Sequence, residues 1–289
     1  MSDFVTAFRE RVASATTEPG MDLTPLASVV DAQAGAVPIR VYRPRAGLMP
    51  LVCYVHGAGF IAGDLESHDR ICRYLAARVD AVVVAVDYRL APEHPFPAAL
   101  QDTVDAVEWV LARAAELEID PARWGIVGDS AGGTLAAALV QQWSGRSDAP
   151  SAQALVCPAL ELAELDLDSH REFEDAEGFS TAVLRQMIDL YLGDHRDRAD
   201  PRVSPSRGGQ LAGLPPTIMI TAELDPLRDD GERYAQRLVR SGVPVTSYRH
   251  PAMVHYGVLW CRAAPEISTG AEVVVRGLRA ALVPSSAGE

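Results

Sequence analysis

A Gly-x-Ser-x-Gly element, Gly128-Asp-Ser-Ala-Gly132, constrains the fold of this chain more than any other feature. It lies between an apolar run, Trp124–Gly128, and a helical run of small residues, Thr134–Val140. A sharp turn from strand to helix exposes a serine hydroxyl, and the glycines leave space where the two elements crowd each other. The same motif also occurs by chance as a plain turn. In this context it predicts Ser130 as a nucleophile in an α/β fold.

Length and composition limit the possible classes of protein. The 289 residues suffice for one large α/β core with a small accessory domain. The net charge of −13 argues against nucleic acid and anionic membranes as partners. Every one of the 26 Lys+Arg residues is arginine. Because lysine is lacking, Schiff-base chemistry, a Ser–Lys dyad and a P-loop lysine are excluded.

The cysteines and the amino terminus predict a soluble, cytoplasmic protein, and no metal or other cofactor is expected. No C-x-x-C pair and no Cys/His spacing typical of zinc occurs, so we expect reduced, buried thiols. Residues 1–10 have the pattern of an amphipathic helix without an apolar signal core. No apolar stretch is long enough to span a bilayer, so membrane insertion is not expected. The cysteines are Cys53, Cys72, Cys157 and Cys261.

Short apolar strands alternate with helical stretches, which indicates a mostly parallel, doubly wound sheet. Continuous β-rich runs are typical of buried parallel strands. The predicted strands are 37–42, 51–55, 81–86, 124–128, 154–157, 217–222 and 243–248, and the predicted helices are 67–78, 98–118, 131–143, 227–240 and 265–282.

An insertion interrupts this alternation from about residue 161 to residue 205. It contains an acidic stretch, which we interpret as a solvated face, and a helical pattern at 181–192. Long insertions at the carboxyl edge of a parallel sheet often form lids. The insertion is therefore predicted to lie as a lid over this edge of the sheet.

A serine nucleophile needs a base, and the base needs an acid that orients it. In doubly wound hydrolases the chain order is serine, acid, histidine. Asp225 follows the strand at 217–222, and beyond it the chain contains two histidines, His250 and His255. His255 lies in the loop after the next strand and is the predicted base. His250 precedes a proline and is predicted to be structural or at the surface.

Other acidic residues lie near the predicted triad. Glu223 is the second choice for the acid, after Asp225. Asp229 and Asp230 fall in the first turn of the following helix, where carboxylates interact well with the helix dipole. Asp129 is next to the serine, but a turn of this kind directs it elsewhere, so we expect a structural role.

An oxyanion needs backbone donors from two sides. One is the N–H of Ala131, directly after the nucleophile. The second belongs in the loop after the strand at 51–55, where the chain reads His56-Gly-Ala-Gly-Phe60 and small residues allow close backbone approach. His56 is expected to brace this loop.

These motifs together resemble the hormone-sensitive lipase family of α/β-hydrolases, in its bacterial esterase branch. The resemblance covers about residues 40 to 260. It is carried by His56–Gly59, Gly63–Asp69, Asp87–Pro97, Gly128–Gly133, Asp200–Pro205 and Asp225–Gly231.

The resemblance implies an α/β-hydrolase fold and the hydrolysis of carboxylic esters with short to medium acyl chains. It also implies two domains, a catalytic core, 41–160 and 206–289, and a helical cap built from the N-terminal segment and the insertion, 1–40 and 161–205. It implies Ser130, Asp225 and His255 as catalytic residues. It also implies Ala58, Gly59 and Ala131 as oxyanion-hole donors.

The chain departs from the family pattern at two places. The usual His-Gly-Gly-Gly has Ala58 as its third residue, and a Cβ there is costly if φ is positive. After His255 the chain reads Tyr256-Gly257 instead of the more frequent Gly-Phe, which changes the bulk beside the base.

Several bulky residues are candidates to line the substrate pocket. For any single cap residue among them, packing of the cap onto the core is the favoured role. The candidates are Phe60, Phe179, Leu184, Met187, Tyr191 and Tyr256.

The primary hypothesis is a serine carboxylesterase that acts on a small-molecule ester, with a homodimer as a possible assembly. A close alternative keeps the triad but acts as a deacetylase, amidase or lactonase on a small natural product. A hydrolase fold used as a small-molecule receptor is a third hypothesis, but a complete triad argues against it.

Overall fold

The central strands form where the chain carries uninterrupted runs of β-branched and other apolar residues, such as Val82–Val86. A computed structural model describes residues 3–16, 24–255 and 265–283. Within these residues eight strands join in one sheet. The strands are β1 (Ser28–Ala34), β2 (Val37–Arg43), β3 (Met49–Val55), β4 (Val82–Val86), β5 (Ile119–Asp129), β6 (Ala152–Val156), β7 (Thr217–Leu224) and β8 (Val245–Val254).

The order of the strands across the sheet is β1-β2-β4-β3-β5-β6-β7-β8. β2 pairs antiparallel with both β1 and β4, and the remaining pairs are parallel. This arrangement confirms the predicted mostly parallel α/β sheet. Because parallel strands end at the same edge, the residues that follow β3, β5, β7 and β8 meet at one carboxyl-terminal edge.

Helices pack on both faces of the sheet, as right-handed crossovers between parallel strands require. Buried residues of α3, α4 and α7 belong to the core on one face, and those of α2 and α8 belong to the core on the other. The helices are α1 (Asp3–Thr16), α2 (Asp69–Val79), α3 (Ala98–Ala112), α4 (Ala131–Gln142), α5 (Asp168–Glu172), α6 (Thr181–Leu192), α7 (Arg228–Arg240) and α8 (Pro265–Leu282).

Each predicted strand and helix has a counterpart, but β1 is not anticipated by the sequence pattern. Residues 28–34, which the resemblance places in the N-terminal part of the cap, form the edge strand of the sheet. Asp31 and Gln33 break the apolar pattern there, because the side chains of an edge strand are largely exposed. The helix predicted at 98–118 is also too long. It ends at Ala112, and the chain turns before β5 begins at Ile119.

The 161–205 insertion carries α5 and α6 and no strand, as predicted. The ring of Tyr191 in α6 stacks on Phe60, in the turn after β3, with 3.7 Å between ring centroids. From α1, the Arg9 guanidinium donates to the Ile61 carbonyl in the same turn at 2.7 Å. The insertion and α1 thus both contact the turn after β3. The division of the chain into core and cap stays a prediction.

Within the three described ranges, no helix combines the length and apolarity needed to cross a bilayer.

Candidate active site

The turn from β5 into α4 holds Ser130 in an uncommon backbone conformation, with φ 52° and ψ −118°. Such a conformation is strained for an L-residue and needs support from its surroundings. The Ser130 N–H donates to the Val156 carbonyl at 2.8 Å. A Cβ on Gly128 would collide with the Gly132 carbonyl, and a Cβ on Gly132 would collide with the Val55 carbonyl. The two glycines are therefore required by close backbone packing around the serine.

The structure brings Ser130, His255 and Asp225 together in one hydrogen-bonded chain. The Nε2 atom of His255 lies 3.0 Å from the Ser130 Oγ. Its Nδ1 atom lies 2.8 Å from Oδ2 of Asp225, whose side chain is fully buried. The other carboxylate oxygen of Asp225 accepts the Leu227 N–H at 2.9 Å. Both oxygens of the acid are thus held, and the imidazole bridges the acid and the hydroxyl.

The competing residues lie outside this chain of hydrogen bonds. Glu223 accepts the backbone N–H of Ala252 at 2.6 Å. The side chains of Asp229 and Asp230 contact the segment that carries α5. His250 is fully buried, so its expected alternative place at the surface is wrong. Its Nδ1 is 3.3 Å from the Pro251 carbonyl.

The turn after β3 contains three consecutive residues with positive φ: Ala58 at 72°, Gly59 at 68° and Phe60 at 64°. The Ala58 carbonyl accepts from Ile61 and Ala62, so it is turned into the loop. Within the described part of the chain, the N–H groups of Ala58, Gly59 and Ala131 make no hydrogen bond. These are the three donors expected for an oxyanion hole. The loop passes directly beside the nucleophile at Gly57. A Cβ added to this glycine would lie only 3.0 Å from the Ser130 Cβ.

A buried polar network lies beneath the loop. The Asp129 carboxylate accepts from the Tyr54 hydroxyl at 2.8 Å and from the Gly57 N–H at 3.1 Å. Burial by itself raises the pKa of Asp129, but His68 and the Tyr54 hydroxyl outweigh it, so that this pKa is lowered. Asp129 therefore stays ionised and anchors Gly57 of the loop, which supports its expected structural role.

His56 packs inside the same network. Its Nδ1 lies 3.0 Å from the Gly57 carbonyl, and its ring stacks on Tyr88 with 4.2 Å between centroids. Burial, and then the nearby His68, lower the pKa of His56 to about 4. Because the folded-state pKa lies below the ordinary value, protonation of His56 costs stability as pH falls from about 6.5 towards 4. Above that range His56 is neutral, and it braces the loop as expected.

Replacing Ala58 by glycine is expected to stabilise the protein by about 0.5 kcal/mol. Relief of the left-handed conformation contributes about 1 kcal/mol, and the greater freedom of the unfolded chain offsets part of it. Urea unfolding of both proteins measures the difference. Ala62→Gly is the control, since Ala62 is buried without positive φ and should be destabilised by the change. Equal destabilisation by the two changes would contradict the strain argument.

The candidate pocket residues are nearly all buried against the core. The Phe179 ring stacks on the His255 imidazole, with 4.3 Å between centroids and 24° between planes. The Met187 side chain fills the space over Gly59. Phe60 instead stacks on Tyr191, and Leu184 is 4% exposed within the core. Phe179 and Met187 thus border the reacting groups, whereas Phe60 joins cap and core.

Tyr256 lies outside the described residues, as does Cys261. The other three cysteines are free and buried, as expected.

Cys157 is a neighbour of the triad that the sequence pattern does not reveal. Potential ligand atoms of Cys157, Asp225 and His255 all lie within 4.8 Å of one another. Burial, and then the charge of Asp225, raise the pKa of the Cys157 thiol well above its ordinary value. The thiol is therefore protonated at neutral pH and carries no charge beside the Asp225 carboxylate.

Comparisons with known proteins identify the fold. A family model described as alpha/beta hydrolase fold matches residues 52–259. The esterase LipI of Mycobacterium tuberculosis is 36% identical over 284 residues, which covers 96% of this chain and 88% of LipI. An arylacetamide deacetylase of Oryctolagus cuniculus is 32% identical over 286 residues, covering 76% of this chain and 72% of that protein.

The crystal structure of EstE1, a thermophilic and thermostable carboxylesterase cloned from a metagenomic library, superposes with a TM-score of 0.91. It is 35% identical to this chain, and the match covers 97% of this chain and 98% of EstE1.

Proposed function

Because this chain belongs to the hormone-sensitive lipase family of α/β-hydrolases, we propose that it hydrolyses small carboxylic esters through a covalent acyl-enzyme on Ser130. It is a carboxylic ester hydrolase, like the esterase LipI and the carboxylesterase EstE1. The observation that carries the proposed mechanism is the chain of hydrogen bonds from Ser130 through His255 to Asp225.

In the acylation step, the Ser130 Oγ attacks the ester carbonyl while the Nε2 of His255 takes the hydroxyl proton. The C–O bond to the alcohol then breaks, and His255 returns the proton to the leaving alkoxide. Asp225 stays ionised, holds the proton on Nδ1 and stabilises the imidazolium. The hydrogen bond that fixes this tautomer is the 2.8 Å contact between Nδ1 and Oδ2.

The oxyanion that forms during attack is stabilised by the N–H groups of Ala58, Gly59 and Ala131. Donors that are already in place need no reorganisation when charge develops. Ala131 is also the first residue of α4, so the positive end of the helix dipole adds to the stabilisation. In deacylation, water attacks the acyl-enzyme with His255 as the base, and Ser130 leaves.

We propose short to medium acyl chains as the preferred substrates. Phe179 stacks on the base and Met187 covers Gly59, so apolar side chains of the cap crowd the space beside the reacting groups. Such a site suits a small acyl or alcohol group better than a long chain.

A panel of p-nitrophenyl esters from acetate to palmitate, with fluorophosphonate labelling, tests the function. We expect the highest kcat/KM on short or medium esters and covalent labelling at Ser130, identified by mass spectrometry. Labelling at another residue would contradict the mechanism. Highest activity on palmitate would contradict the proposed chain length.

The similarity to an arylacetamide deacetylase makes amide hydrolysis the second candidate function. The same triad and oxyanion hole serve both reactions, and the leaving group makes the difference. The measurement is p-nitroacetanilide turnover beside that of p-nitrophenyl acetate. Comparable kcat/KM on the two would favour the deacetylase over the esterase.

A further inference from the structure

Helix α5 of the 161–205 insertion is hydrogen-bonded to the turn that carries Asp225. Ser169, in α5, is fully buried. Its Oγ–H donates to the Pro226 carbonyl at 2.8 Å, and its N–H donates to Oδ2 of Asp229 at 2.8 Å. The Asp229 N–H donates back to the Ser169 Oγ at 3.2 Å. All of these bonds go to residues within four positions of Asp225.

The next residue of α5 makes a second attachment to the same region. The Nε2 of His170 lies 3.3 Å from Oδ1 of Asp230, and both side chains are fully buried. Oδ2 of Asp230 accepts the N–H groups of Leu160 and Glu161, each at 3.1 Å. The first turn of α7 thus holds both the start of the insertion and its helix α5.

The far end of the same cap segment contacts the base. The Thr181 Oγ1 donates to the His170 carbonyl at 2.8 Å, which closes residues 170–181 into a loop. Phe179 lies within this loop and stacks on His255. One cap segment, 168–181, therefore contacts the acid's turn through Ser169 and the imidazole through Phe179.

We infer that Ser169 is a positioning residue for the triad, which holds the Asp225 turn so that the carboxylate meets the Nδ1–H of His255. This inference rests on the proposed function. Asp225 is held within its own turn by the Leu227 N–H, and Pro226 lies between these two residues. Without the Ser169 hydroxyl, the Pro226 carbonyl and the Asp229 N–H each lose a buried partner. The turn then relaxes, and the imidazolium is less well stabilised.

Ser169→Ala is expected to lower kcat for p-nitrophenyl acetate about tenfold, with little change in KM. The acid limb of the pH–rate profile should move to lower pH, because a less stabilised imidazolium loses its proton more readily. A loss of packing alone would lower the amount of folded enzyme without moving that limb. The measurement is kcat and KM across a pH series.

Ser204→Ala is the matched control. Ser204 is also fully buried in the insertion, and its Oγ donates to the Arg198 carbonyl and accepts the Leu162 N–H. Its loss removes the same kinds of bonds, but none of them goes to the turn that carries Asp225, so the pH–rate profile should stay that of the unmodified enzyme. An acid limb that moves equally in Ser169→Ala and Ser204→Ala, or in neither, would overturn the inference.

A second variant and a spectroscopic readout keep the test independent of folding yield and of turnover. Asp229→Asn weakens the acceptor for the Ser169 N–H and should move the limb in the same direction. The low-field proton resonance of the His255 Nδ1–H reports its hydrogen bond to Asp225. We expect that resonance to shift in Ser169→Ala, and an unchanged resonance would overturn the inference. If the unmodified chain does not hydrolyse esters, the proposed function fails, while the resonance still tests the positioning.

Discussion

Replacing Ser130 by alanine should lower kcat for p-nitrophenyl butyrate by at least about a thousandfold. The change removes the nucleophile and the 3.0 Å hydrogen bond to His255, and water has to attack the ester directly. Binding and oxyanion stabilisation remain, so some residual rate above that in water is expected. The loss is measured from initial rates at saturating ester. Fluorophosphonate labelling of the unmodified protein gives the concentration of active enzyme for its kcat.

The fold should survive this substitution. Alanine keeps the Ser130 N–H that donates to the Val156 carbonyl, and it changes no core volume. Ser151→Ala is a suitable control, because Ser151 precedes β6 at the opposite edge of the sheet and should keep full activity. Equal thermal unfolding of the three proteins is expected. Substantial turnover by Ser130→Ala would refute Ser130 as the nucleophile.

Replacing Asp225 by asparagine should lower kcat by roughly ten-thousandfold, which is the effect of the equivalent change in other serine hydrolases. The amide is the same size, but its NH₂ group can donate to Nδ1 and hold the wrong tautomer of His255. The charge that stabilises the imidazolium is also lost. Steady-state kinetics on p-nitrophenyl acetate measure the effect.

Glu223→Gln is the matched control for the acid, because Glu223 was the second choice from the sequence. In the structure its carboxylate accepts the Ala252 N–H, whereas the Nδ1 atom of His255 lies beside Asp225. Its replacement should leave kcat within a few-fold of the unmodified value. A larger loss in Glu223→Gln than in Asp225→Asn would mean that the acid is wrongly assigned.

The order of motifs was sufficient to predict which residues would meet. Ser130, Asp225 and His255 each follow a strand of the parallel sheet, and such strands end at one edge. The glycines around the serine also predict this turn. β5 and α4 approach each other so closely there that a Cβ on Gly128 would collide with the backbone of Gly132. The turn motif and the strand order therefore lead to the same three residues. Predicting that they lie close together needed no knowledge of side-chain packing.

Other parts of the site depend on contacts that no local pattern contains. Ser169, Phe179 and Cys157 approach the triad from segments far away in the chain, and each is of an ordinary residue type. The positive φ of Ala58 was also hidden, since alanine does not signal a left-handed turn. Edge strand β1 was missed because its exposed polar residues mask the strand pattern.

The sequence alone determined the parallel sheet, the order of serine, acid and histidine along it, and the loop of small residues for the oxyanion. These follow from short-range periodicity and turn chemistry, which act within a few residues. Only the tertiary structure decided how the insertion contacts the turn that carries Asp225, and which apolar side chains crowd the nucleophile. Those outcomes depend on packing between distant segments, where distances of a few ångströms select one partner among several of the same chemical type.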